Sequence, residues 1–288
     1  MKDGDCQMGM EMKKVLVTGA NGYIGRHVVD ALIELGCQVV AVDFVLDGVN
    51  DKAEKKNVSI FDNENVFEEC GRPDACVHLA WRDGFVHNSM AHIEDLPKHY
   101  KFVKSMIESG LKQIAIMGTM HEVGYWEGAI DENTPTNPSS NYGIAKDALR
   151  NLTCLLAKEN NCCWQWLRAY YIYGDDMRGN SIFSKIAAAE REGKDKFPFT
   201  TGKNKYDFIE VEMLASQIAA SVVQDEVDGI INCCSGKPVS LSEEVEGFIK
   251  KRGFNIKLEY GAFPDRPYDS PAVWGDATKI NSIMKKRV

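Results

Sequence analysis

Tyr142 and Lys146 stand four residues apart in Tyr142-Gly-Ile-Ala-Lys146, a spacing that on a helix puts a phenol and an ammonium on one face. A tyrosine near pKa 10 is a weak base at neutral pH, but a neighbouring cation favours its phenolate. Such a pair can exchange a proton with an alcohol. A second pair with the same spacing, Tyr100-Lys-Phe-Val-Lys104, falls inside a long helical pattern before the run QIAIMG. That position faces sheet or solvent, whereas ligands of open α/β sheets bind at the C-terminal edge of the strands. Tyr100 therefore reads as structural and Tyr142 as reactive. Thr119 ends the QIAIMG run, and its hydroxyl can grip the same substrate oxygen that Tyr142 protonates. Two residues on, His121 admits two readings, a substrate contact or auxiliary acid on one side and a plain loop residue on the other.

A second chemical element is Gly19-Ala-Asn21-Gly22-Tyr23-Ile24-Gly25, between the apolar run VLVT and an apolar-periodic stretch ending near Leu35. Missing side chains let the backbone turn tightly and approach a pyrophosphate, whose charge sits at the N terminus of the following helix. Asp43 ends the second apolar run, 18 residues beyond Gly25, where an acid can hold both ribose hydroxyls of an adenosine. A carboxylate there repels a 2′-phosphate, and no arginine adjoins it. NAD is thus expected rather than NADP.

These residues need a scaffold that brings strand ends together. Short apolar runs alternate with helical periodicity through QVVAVD, VSIF, a polar helix near residues 63–70, ACVHLA, a helix over about 92–109, QIAIMG, a helix after Ser140, and WQWLRAYY. Strands alternating with helices predict an α/β fold with a doubly wound parallel sheet of the Rossmann kind. Residues 13–174 are expected to form this part, with 206–225 returning to it. Residues 175–205 and 226–288 are expected to build a smaller C-terminal substrate-binding part, and 1–12 a tail. The Pro/Gly/Asp-rich stretch over 260–275 suits a binding loop.

Composition narrows the function classes. The 288 residues are 44% hydrophobic and 26% charged, as in ordinary folded proteins. A net charge of −8 is the wrong sign for neutralising nucleic-acid phosphates. No apolar run approaches the roughly 20 residues of a bilayer span. Nine cysteines at irregular positions include no CxxC pair, so neither a disulfide framework nor a metal site is expected. With three acids and no apolar core in its first fourteen residues, the chain carries no secretory signal and is expected in the cytoplasm.

From Lys13 onward the chain resembles the extended short-chain dehydrogenase/reductases, in particular the NAD-dependent epimerase/dehydratase group that modifies nucleotide sugars. The resemblance rests on VTGANGYIG, Asp43, HLA at 78–80, GTMHEVG, NPSSNYGIAK, LRAYYIYG, YDFIEV, CCSGKPVSL and Arg266-Pro-Tyr-Asp269. It implies a Thr119-Tyr142-Lys146 triad, with Lys146 also on the nicotinamide ribose. Asp62 would stand in the place of an adenine-contacting aspartate, and Leu79 and Ala80 beneath the cofactor. Arg266 would pair with the diphosphate of a nucleotide sugar, a task suited to a bidentate guanidinium. Arg178 and Lys203 lie in stretches that would line the same pocket. Met120-His121 replaces the Asp-Glu pair of the group's dehydratases, so dehydration is disfavoured. Tyr171 and Tyr206 stand where the group has an asparagine and an arginine. The implied activity is hydride transfer at a sugar carbon, C4, by an epimerase or a 4-ketoreductase, and the implied assembly is a homodimer. The alternative is a non-catalytic NAD sensor of the same fold.

Overall fold

Apolar side chains alternate along each long strand and so sort onto two faces. Val15, Val17, Ala75, Val77, Ala115 and Leu167 enter one core, while Leu16, Cys76, Ile114, Ile116 and Trp166 enter another. A sheet buried on both sides follows. The structure, a computed structural model, describes residues 12–174, 181–265 and 269–286.

The first half runs β1 (Lys14–Thr18), α1 (Gly25–Glu34), β2 (Gln38–Val42), β3 (Glu54–Lys56), α2 (Val66–Glu69), β4 (Ala75–His78), α3 (Ala91–Glu108) and β5 (Gln113–Thr119). A 3₁₀ turn (Met120–Glu122), β6 (Gly128–Ile130), α4 (Asn141–Glu159), β7 (Cys163–Ala169) and β8 (Tyr171–Tyr173) follow. Then come α5 (Ile182–Arg191), β9 (Lys196–Pro198), β10 (Lys205–Glu210), α6 (Val211–Val222) and β11 (Gly229–Cys233). The chain closes through β12 (Pro238–Ser240), α7 (Leu241–Arg252), β13 (Lys257–Glu259), β14 (Ala272–Gly275) and α8 (Thr278–Lys285).

Seven parallel strands form the large sheet in the order β11-β7-β5-β4-β1-β2-β3. Helices α1, α6 and α8 cover one face, and α2, α3 and α4 the other. The order reverses between β1 and β4, which opens a crevice at their C-terminal ends. A third core, with Phe183 and Ile186 of α5, Tyr206 and Phe208 of β10 and Phe248 of α7, surrounds a second sheet ordered β12-β10-β14-β6, with β8 on β10.

Two details differ from the sequence expectations. The strand expected at VSIF lies earlier, at Glu54–Lys56, because this edge position needs only backbone pairing to β2; Ile60 is buried from a loop instead. The partition also differs. β11 and α8, expected in the smaller part, pack on the large sheet beside β7 and α6, while β10, expected to return to the large sheet, sits in the second one. Hydrophobic pattern identifies a strand but not the sheet that receives it.

The eight described cysteines are free, five of them buried. Among the described residues no helix is long and apolar enough to cross a membrane.

Candidate active site

The glycine turn leaves β1 and presses against the segment after β4. Gly19 has φ +67°, and a Cβ there would stand 2.7 Å from the Ala80 nitrogen, so both conformation and space demand glycine. A Cβ on Gly25 would come within 2.9 Å of Ala20 backbone. The Leu79 N–H donates to the Thr18 carbonyl at 3.1 Å, which ties Leu79 and Ala80 to the turn. The α1 N terminus has no side-chain cap and no acid in its first turn, leaving the positive end of its dipole for an anion. Tyr23 donates its hydroxyl to the Gly174 carbonyl at 2.8 Å, and Ile24 packs on the core below. Asp43 accepts the Asn21 N–H at 2.9 Å and the Phe44 N–H at 2.8 Å, so its carboxylate is held at the end of β2. Asp62 is exposed in the loop after β3 and accepts the Ser59 hydroxyl at 3.2 Å. A cradle that only hydrogen fits, a free helix terminus and a fixed acid together suit a dinucleotide.

Beside this cradle, three side chains from two elements meet. Thr119 is the last residue of β5. Ser140 caps α4 by accepting the Gly143 N–H at 3.2 Å, and that cap places Tyr142 in the first turn with Lys146 one turn on. Gly143 lets the helix lie close, since a Cβ there would be 3.0 Å from that of Pro138. Burial pushes the Tyr142 phenol well above its ordinary range, and the neighbouring Thr119 side chain opposes this. Lys146 is buried, with its ammonium 2.7 Å from the Met117 carbonyl and 3.7 Å from the centre of the Trp81 ring. Burial brings it down to about 7, opposed by the carboxylate of Glu122. Tyr100, by contrast, packs on the core beneath α3.

The sequence matches the model of the NAD dependent epimerase/dehydratase family over residues 15–234. The chain belongs to this family. As a member of it, the chain is an NAD-dependent enzyme of the extended short-chain type, acting on nucleotide sugars. It is 44% identical over 271 residues to a dTDP-6-deoxy-L-talose 4-dehydrogenase (NAD(+)) of Aggregatibacter actinomycetemcomitans, covering 91% of this chain and 98% of the relative. A putative UDP-glucose 4-epimerase of Methanocaldococcus jannaschii is 27% identical, covering 94% and 90%. Among solved structures, the UDP-glucose 4-epimerase of Thermotoga maritima with UDP-glucose has a TM-score of 0.77 at 21% identity, covering 96% and 100%.

Around the epimerase/dehydratase core, several neighbours of Tyr142 were not visible in the sequence motifs. His87 stacks on its ring, with centroids 5.5 Å apart and planes at 15°, and the His87 carbonyl accepts the Tyr142 N–H at 2.9 Å. His92 and His121 stand 5.2 and 6.2 Å from the same ring. His121 lies 4.4 Å from His87; burial and then His87 pull it down to about 4, so it is a neutral imidazole at neutral pH. Trp81 donates to His92 Nδ1 at 3.0 Å. On its other side it stacks with His99 at 4.2 Å, which bonds His78 at 2.9 Å. One signal was available: four of the six histidines fall between residues 78 and 99.

Glu122 was missed as well. It is fully buried behind Thr119 and accepts the Thr119 N–H and the Trp166 indole N–H, each at 2.7 Å. Among the remaining expected residues, Lys203 is exposed in the loop between β9 and β10, and Arg178 and Arg266 lie outside the described residues. Tyr171 and Tyr206 contact each other, with ring centroids 4.3 Å apart.

Proposed function

We propose that this enzyme is a nucleotide-sugar 4-dehydrogenase that oxidises the C4 hydroxyl of a dTDP-6-deoxyhexose to a ketone, using NAD+. The observation that carries this reading is the convergence of Thr119, at the end of β5, with Tyr142 and the buried Lys146 one helical turn on, beside the glycine cradle. The 44% identical relative named for that reaction supports the substrate class. NAD+ supplies a hydride acceptor when bound. Gly19, Asn21, Gly22, Tyr23, Ile24 and Gly25 would hold its pyrophosphate, Asp43 and Asp62 its adenosine, and Leu79 and Ala80 would lie beneath it.

The reaction needs one proton removed from the alcohol oxygen as the C4 hydride leaves. Tyr142 takes that proton as phenolate, and Thr119 donates a hydrogen bond to the same oxygen, holding it in line. Lys146, buried and cationic, favours the phenolate and holds the nicotinamide ribose. His121 reaches the sugar as a neutral donor or acceptor. Arg178, Lys203 and Arg266 would supply positive charge for the nucleotide diphosphate. The face of α4 that carries Ile144 and Leu155, both exposed, supplies a homodimer contact together with α3. Unpaired thiols suit a cytoplasmic protein.

Purified enzyme mixed with NAD+ and dTDP-6-deoxy-L-talose should produce NADH and a keto sugar in equal amounts. Tyr142→Phe should lower kcat by about 10³-fold with NAD+ affinity unchanged. NAD+ binding without turnover of any sugar nucleotide would make the chain a sensor. Interconversion of C4 epimers without net NADH would make it an epimerase.

A further inference from the structure

We propose that Glu122 is a positioning residue of this reaction, locking Thr119 in register with Tyr142 and supplying the buried anionic counter-charge of Lys146. The inference rests on the roles just assigned to those three side chains.

The first half of the proposal is geometric. Thr119 is extended and caps the 3₁₀ turn, accepting the His121 N–H at 3.3 Å through its hydroxyl oxygen. Glu122 returns the favour by accepting the Thr119 N–H, which completes a capping box. Both ends of Thr119 are thereby fixed. With its lone pair engaged by His121, the hydroxyl hydrogen is left to point at the phenol.

The second half is electrostatic. Glu122 Oε1 receives two N–H donors, and Oε2 faces Arg168 Nη2 at 3.6 Å and Arg150 Nε at 3.7 Å. Oε2 makes no hydrogen bond, so the two guanidinium groups act on it through charge, while Oε1 takes both N–H donors. Burial raises the Glu122 carboxyl, and Arg168, the Thr119 and Trp166 N–H groups and Arg150 act against that rise, favouring the anion. The groups facing Lys146 are Tyr142 on its own helix, Glu122 from the 3₁₀ turn, and His78 and His99 from β4 and α3. Both histidines are held neutral by burial. Glu122 is thus the negative charge in this set. A buried ammonium without a counter-charge would shed its proton and lose its hold on the phenolate.

The test uses two variants that separate reach from charge. Glu122→Gln keeps an acceptor for Thr119 and Trp166 but removes the charge; Glu122→Asp keeps the charge but is one methylene too short to hold Thr119. Lysine labelled with 13C at Cε reports the titration of Lys146 without any substrate, its signal assigned by loss in Lys146→Met. Glu122→Gln should move the Lys146 midpoint down by about one pH unit. Glu122→Asp should leave the midpoint near wild type while kcat with NAD+ and dTDP-6-deoxy-L-talose falls about tenfold. In the pH profile of kcat, the limbs of Glu122→Gln should move to lower pH.

A folded Glu122→Gln protein with an unmoved Lys146 midpoint would overturn the proposal, as would Glu122→Asp with wild-type kcat. If Glu122→Gln does not fold, Arg150→Gln, on the more exposed side of the ion pair, should raise the midpoint; no movement there overturns it equally. Absence of turnover with this sugar would instead count against the proposed substrate, since the lysine titration stands apart from it.

Discussion

The two walls of the crevice are built in different ways. The cradle wall, from Thr18 to Gly25 with Asp43 and Leu79–Ala80, is made of backbone: a left-handed glycine, contacts that exclude a Cβ, and N–H groups on a carboxylate. The chemical wall is made of side chains from β4, the loop after it, α3, β5, the 3₁₀ turn and α4. Backbone recognition tolerates little substitution but needs few partners. A side-chain wall can be re-equipped residue by residue, and here it has been filled with Trp81, His87, His92 and His121 around one phenol.

This contrast can be broken or sharpened by measurement. Lys146 belongs to both walls, so Lys146→Met is expected to lower kcat by about 10³-fold and also to weaken NAD+ binding about tenfold, as read by single-turnover kinetics and fluorescence titration. Gly19→Val belongs to the cradle alone. It forces a β-branched residue into φ +67° and against Ala80, and NAD+ affinity should fall about 100-fold or more, since strain and clash together cost several kcal/mol. An unchanged Kd would refute the backbone account.

The smallest effect concerns stability. His99 and His121 are held down to about 3 and about 4 by burial, below the value of about 6.5 that they regain on unfolding. The unfolded chain therefore binds more protons between these limits. The contribution of these two rings should be undiminished above pH 6.5 and decline as pH falls toward 4, by a few kcal/mol in all, in urea unfolding at fixed salt. His121→Asn should flatten the upper part of that decline. A flat profile would mean that these rings are solvated.

Much of this was legible because it is local in the chain. The glycine spacing, the Asp43 position, the Tyr142–Lys146 interval and the helix after Ser140 each involve residues within one turn or one strand-helix unit. Tyr100 could be set aside by position alone, and the structure packs it, half-buried, against the core. What escaped were partners drawn from different strands. Glu122 reads in sequence as an ordinary loop acid, and only Trp166 and Arg168 on the neighbouring strand β7, with Arg150 on α4, surround it with donors in the interior. His121 was left open between two readings because its charge depends on burial and on His87, 34 positions away in sequence.

The sequence alone determined most of the strands and helices of the large sheet, the place of the glycine turn and the Tyr142–Lys146 spacing, because periodicity, glycine stereochemistry and i, i+4 spacing act over a few residues. Tertiary structure alone decided that β11 and α8 join the large sheet and β10 the small one. It also decided that five histidines gather near one tyrosine and its lysine, and that one glutamate lies buried between two arginines. Burial and ionisation depend on what approaches from elsewhere in the chain, and no short window contains that information.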